Sequence, residues 1–118
     1  VDDETLFMTM MFDFFGDLLT PKQREYYDLY HNEDLSLSEI AESAGISRQG
    51  VYDIISRAEK SLVGMEQKTG VVQRWLNMQA GFQQAETLAG ELCRLAGNDE
   101  KTSDLAQRLV LTLEKLKD

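Results

Sequence analysis

The chain has 118 residues, 42% of them apolar and 28% charged, with a net charge of −9, one proline and one cysteine. That length holds one small domain, or one with an extension, and a lone cysteine excludes an intrachain disulfide. No apolar run reaches the roughly 18 residues that a membrane-spanning helix needs, and the acid-flanked start "VDDETLFMTMMFDFFGDLL" lacks the basic opening of a signal peptide, so the expected setting is the cytoplasm.

The elements read as helices throughout. The spacing predicts a first helix over about Asp3 to Leu18, with Leu6, Met10, Phe14 and Leu18 on its buried face, widened by Phe7, Met11 and Phe15. Thr20 and Pro21 restart the chain as a cap and first-turn residue. A second helix follows to about Asn32, burying some of Tyr26, Tyr27, Leu29 and Tyr30.

Ser36 and Glu39 form a capping box for a short third helix, Leu37 to Ala44, ended by Gly45. Ser47 caps the fourth. The stretch "SLSEIAESAGISRQGVYDII" (36–55) meets the packing demands of a helix-turn-helix. Ala41 is small where the helices cross and Gly45 suits the turn. Ile40, Ala44, Ile46, Val51 and Ile54 pin the second helix on the first.

Those pins leave Ser47, Arg48, Gln49, Tyr52, Asp53 and Ser56 facing outward, where they can enter a major groove. Arg48 suits guanine or phosphate and Gln49 adenine. Tyr52 and Ser56 suit phosphate, and Arg57 and Lys60 extend the basic character. The alternative for Arg48 and Gln49 is a solvated first turn, and for Tyr52 a half-buried ring. Lys22 and Arg24 read as a solvated face.

Charge opposes and supports this at once. Residues 1–46 carry eleven acids and two bases, whereas residues 47–74 carry five bases and three acids. The only positive block begins at the second helix of the motif, and phosphate neutralisation supplies much of the affinity of a nucleic-acid binder.

From Val51 a seam runs through Ile55, Ala58, Leu62, Met65, Thr69, Val72, Leu76 and Gln79, with a break expected near Thr69-Gly70. The stripe then passes to Trp75, Met78, Phe82, Ala85, Ala89, Leu92 and Ala96. After the loop "GNDEKT", a last helix from about Ser103 to Lys117 is expected to bury Leu105, Leu109, Val110, Leu113 and Leu116. Two stripes on different faces exceed what one chain easily covers, so a homodimer is expected, centred on Trp75, Leu76, Met78, Gln79 and Phe82; the alternative is that the terminal helix folds back and covers the stripe within one chain.

Catalytic constellations are missing. His31 reads as a surface or capping histidine, Cys93 as a core thiol, and no Cys/His cluster has metal-ligand spacing. The protein is therefore read as a non-enzyme with no cofactor or metal.

The segment "LLTPKQREYYDLYHNEDLSLSEIAESAGISRQGVYDIISRAEKSL" (18–62) resembles the region-four domain of bacterial sigma factors. With "FDFFGDLLTPKQREYYDLYHNEDLSLSEIAE" and "MEQKTG", the chain resembles the YlxM family of helix-turn-helix proteins, specifically over about residues 6–76. The resemblance implies nucleic-acid contacts at Ser47, Arg48, Gln49 and Tyr52. Gly50 departs from the alanine the family pattern implies. Family members are encoded beside the signal recognition particle GTPase gene, which implies a role in that pathway.

The fold expected is all-α, with a helix-turn-helix unit (winged-helix-like or region-four-like) over 1–63 and a helical extension with a long helix and a C-terminal helix over 64–118. The function expected is regulation by binding DNA or RNA. The competing reading is a protein-interaction module, binding the particle's GTPase or its RNA complex, whose motif does not read DNA.

Overall fold

A computed structural model describes residues 3–117. Its elements are α1 (Asp3–Phe15), a 3-10 turn (Gly16–Leu18), α2 (Pro21–His31), α3 (Leu37–Ala44), α4 (Arg48–Thr69), α5 (Val71–Ala96) and α6 (Glu100–Leu116). The described residues form helices and turns without a strand, so the architecture is all-α and carries no wing.

The chain divides into two compact units, Val1–Val72 and Gln73–Asp118. A boundary at residue 63 falls inside α4, whose buried side runs on through Leu62 and Glu66. The first unit closes only after Val72, which is wholly buried.

In the first unit, local chemistry sets where each helix begins. Thr20 Oγ1 accepts the Gln23 amide at 3.2 Å, and the Gln23 side chain accepts the Thr20 amide at 3.1 Å. Pro21 occupies the first helical turn, where its missing N–H has no partner to lose. Ser36 and Glu39 repeat the exchange for α3 at 3.1 and 3.0 Å. Two hydrogen bonds from Ser36, the backbone one the stronger influence, hold the Glu39 carboxyl below its ordinary range.

α4 packs against α1, α2 and α3. Its inner side, Val51, Ile55, Ala58 and Leu62, is buried together with Tyr26, Tyr27, Ile40 and Ala41. Burial pushes the Tyr27 phenol up to about 12, and the nearby Glu59 carboxylate adds to the shift.

Three expectations are corrected here. The first helix ends at Phe15, and its buried residues are Met11 and Phe15, followed by Leu19; Leu6, Phe14 and Leu18 face solvent. The physical reason lies on α2: Phe12 stacks on Tyr27 with centroids 4.9 Å apart, which fixes the rotation of α1. Ile46 is 37% exposed and Ile54 only half-buried, so neither is a full pin; Val51 holds α4 as expected, with Ile55 beside it.

The third correction concerns the seam. α4 and α5 part at Gly70, where the break was expected, and its φ of 64° is the left-handed conformation that closes a helix end; the burial around it is what differs. Met65 is half-buried and Thr69 exposed, while Glu66 is buried. Its Oε1 accepts the Val72 amide at 2.9 Å. A carboxylate there satisfies an orphan amide and lies at the positive end of α5.

The second unit is a helical hairpin. α6 starts three residues earlier than expected, because Asp99 caps it. Asp99 accepts the Thr102 hydroxyl at 2.9 Å and its amide at 3.4 Å, which lowers the carboxyl from its ordinary range. Lys117 Nζ meets Glu86 Oε1 at 3.2 Å at the far end of the pair. The buried residues are Ala89, Ala106 and Leu113. Val110 and Cys93 are half-buried, whereas Leu105, Leu109 and Leu116 are exposed against expectation. Small residues, Ser103 and Ala106, occupy the inward side of α6 that periodicity assigned to leucines.

Candidate nucleic-acid interface

The motif is α3, the turn Gly45-Ile46-Ser47 and the first half of α4. Gly45 has φ 71° and its amide bonds the Ala41 carbonyl at 2.9 Å. Only glycine takes that conformation at little cost. Ser47 Oγ accepts the Gly50 amide at 2.9 Å and so aims the first turn of α4. A Cβ on Gly50 would stand 3.2 Å from that same oxygen. Gly50 thus leaves room for the cap.

Two stripes of identical spacing run along α4. Val51, Ile55, Ala58 and Leu62 are buried. Gln49, Asp53, Ser56 and Lys60 follow the same 4-3-4 rhythm two residues out of step. Two residues rotate a helix by about 200°, which puts the second stripe on the opposite face. Arg48, Gln49, Tyr52, Asp53, Arg57 and Lys60 are exposed, Tyr52 by 49%. Ser47 is exposed but engaged as the cap, and Ser56 is half-buried.

Arg48, Gln49 and Tyr52 border a shallow hollow with Leu37 of α3. A second, lined by Tyr52, Ser56, Lys60, Val63, Gly64 and Gln67, also takes in the acidic Glu59. Leu37 is the one lining residue that the periodicity of α4 gave no means of finding.

The electrostatics of the face are mixed. Asp53 Oδ1 accepts from Gln49 Nε2 at 2.9 Å, so the acid and the amide hold each other across one turn. Glu59 turns toward α2, where its Oε1 lies 2.9 Å from His31 Nε2. His31 also lies against the Tyr27 ring, centroids 4.2 Å apart, as a surface histidine joining two helices.

Among the described residues, Arg48, Arg57 and Lys60 join no ion pair. Nor do Lys22, Lys68, Arg74, Lys101 and Lys115, whereas Arg24, Arg94, Arg108 and Lys117 are each paired with a carboxylate. The cations of the motif's second helix are thus available to an external anion. Arg24, spanning 3.2 Å to Asp17, is not.

The expected dimer residues lie on α5 in the second unit. Trp75 and Met78 are 36% and 57% exposed, and Leu76, Gln79 and Phe82 are half-buried. No cluster of three or more potential metal ligands occurs among the described residues, and no helix there is long and apolar enough to cross a membrane.

Residues 2–108 match the family described as "Putative helix-turn-helix protein, YlxM / p13 like" (UPF0122). The chain belongs to the UPF0122 family. It is 40% identical over 114 residues to the UPF0122 protein BCAH187_A3894 of Bacillus cereus (strain AH187), covering 97% of both chains. Over 74 residues it is 55% identical to the UPF0122 protein Teth514_1714 of Thermoanaerobacter sp. (strain X514), and this match spans 63% of each chain.

Proposed function

We propose that the protein is a regulatory nucleic-acid-binding protein that uses the first turns of α4 as its reading surface and works as a dimer. The observation that carries the reading is the exposure of Arg48, Gln49 and Tyr52 at the start of the motif's second helix, together with the unpaired cations Arg48, Arg57 and Lys60 on that helix. Arginine and glutamine at a helix start recognise guanine and adenine edges through paired hydrogen bonds. The net charge of −9 limits how many phosphates such a surface engages. Binding therefore depends on the few contacts of this helix. The signal recognition particle pathway as the setting rests on the family resemblance alone.

One observation favours a second reading. Asp53 lies in the outward stripe and occupies the Gln49 amide at 2.9 Å. A face with that acid at its centre and Tyr52 beside it also suits a basic protein surface, such as a component of the same pathway.

Selection of ligands from random duplex DNA and RNA pools by the full chain tests the proposal. A recovered consensus whose binding needs Arg48 is expected. Pools that stay unenriched over cycles, alongside a protein captured only when Tyr52 is intact, overturn it in favour of the second reading.

A further inference from the structure

We infer that one face of the α5–α6 hairpin, built on Leu88, Leu92, Leu95, Leu105, Leu109 and Leu116, is the surface through which two copies of this chain associate. The inference deepens the dimeric part of the reading above and does not depend on any nucleic acid.

These six leucines are between 42% and 82% exposed. Their register makes them one surface. On α5 they immediately precede Ala89, Cys93 and Ala96, which are buried or half-buried; on α6, Leu105 and Leu109 precede Ala106 and Val110. Leu116 precedes Lys117, which reaches Glu86 of α5. One residue is about 100° of helix rotation. In an antiparallel pair that backward step turns both helices toward the same side of the plane through their axes. Six leucines from two helices thus form a continuous apolar face.

The hairpin has little else to hold it. Its buried residues are two alanines and one leucine. A chain of this unit's size cannot repay its ordering entropy from such a core, and small units of this kind are completed by association. Two such hairpins, leucine face to leucine face, make a four-helix bundle with an ordinary core.

Area and charge point to a second copy as the occupant. Leucines exposed to this extent put on the order of 500 Å² of apolar surface in water. A standard-size interface buries about 800 Å² per partner, and at the roughly 65% apolar share of homodimer interfaces its apolar part is comparable. The positions that complete this face, Ala85, Thr102 and Thr112, carry no charge. Residues 73–118 hold six bases against seven acids, so the −9 of the whole chain resides almost entirely in residues 1–72. A strongly charged partner finds nothing complementary here, and a near-neutral surface does not repel its own copy.

Sedimentation equilibrium of the full chain at micromolar concentration tests this, with helicity followed by circular dichroism. The wild type is expected at twice 13.4 kDa, with a melting temperature that rises with protein concentration. Leu92→Asp and Leu109→Asp are expected to weaken association by about 100-fold or more and to give monomers of unchanged helicity. Leu111→Asp is the control: Leu111 is 57% exposed but turned away from the leucine face, and the dimer should persist. If aspartate unfolds the hairpin, Leu92→Ser and Leu109→Ser must give the same order. A wild-type monomer overturns the inference and the dimeric reading together. A dimer that survives both leucine variants but dissociates on Met78→Asp overturns the leucine face and leaves the dimeric reading standing.

Discussion

Ile55→Ala, set against Ile54→Ala, tests the rotation of α4 that turns Gln49 and Tyr52 outward. Ile55 is 4% exposed, while its neighbour Ile54 is half-buried. Ile→Ala removes three carbons. At about 0.8 kcal/mol for each buried carbon, the transfer loss at Ile55 is ~2.4 kcal/mol. Val51, Ala58 and Leu62 on the same side are wholly buried, so neighbours have little room to collapse and a cavity cost of about 1 kcal/mol is added. The expected loss is ~3–4 kcal/mol for Ile55→Ala and about half that for Ile54→Ala. Urea denaturation read by tyrosine absorbance isolates the first unit, because all four tyrosines lie within residues 26–52 and the only tryptophan is Trp75. A loss below ~1 kcal/mol at Ile55, or a larger loss at Ile54, would refute the assigned rotation and with it the outward face.

Gly45→Ala should cost ~1–2 kcal/mol in a thermal melt, because φ of 71° is strained for any L side chain; an added Cβ meets nothing within 4 Å, so a much larger loss would point to a different turn. Glu66→Ala should cost ~1–3 kcal/mol by stranding the Val72 amide, and Glu66→Gln, which keeps the acceptor, less; equal losses would argue against the cap. The Tyr27 phenol, raised to about 12 chiefly by burial, keeps its proton in the folded chain after an unfolded chain has lost it. Its contribution is therefore complete below pH 10 and disappears as pH rises from 10 to about 12. An ultraviolet titration of wild type minus Tyr27→Phe should show one phenol titrating near 12, and a single step near 10 would contradict its burial.

What was legible in the sequence was what depends on near neighbours. Thr20, Ser36, Ser47 and Gly45 announce helix ends because a cap is decided within three or four residues. The outward set on α4 was legible because Val51 is apolar and its neighbours at the recognition positions are not. Rotation was lost where apolar residues surround the helix. In α1 both Leu6-Met10-Phe14 and Met11-Phe15 make acceptable stripes, and only the Phe12–Tyr27 stack, distant in sequence, chooses between them. In α6 the leucines drew the buried face to themselves, although Ser103 and Ala106 are among the residues turned inward. Glu66 reads as surface until the break at Gly70 creates an amide that needs it. The Gln49–Asp53 pair, four residues apart, was within reach of helix spacing and tempers the basic face.

The most direct measurement is fluorescence anisotropy of the selected nucleic acid with wild type and with Arg48→Ala/Gln49→Ala, each at two salt concentrations. A loss of about 2–4 kcal/mol, roughly 30- to 1,000-fold, is expected for the double variant. A shallow salt slope of about −3 is also expected, since few more cations than Arg48, Arg57 and Lys60 are available on the face. Unchanged affinity in the double variant, or a steep slope reporting many neutralised phosphates, would contradict the claim that the first turns of α4 read the ligand.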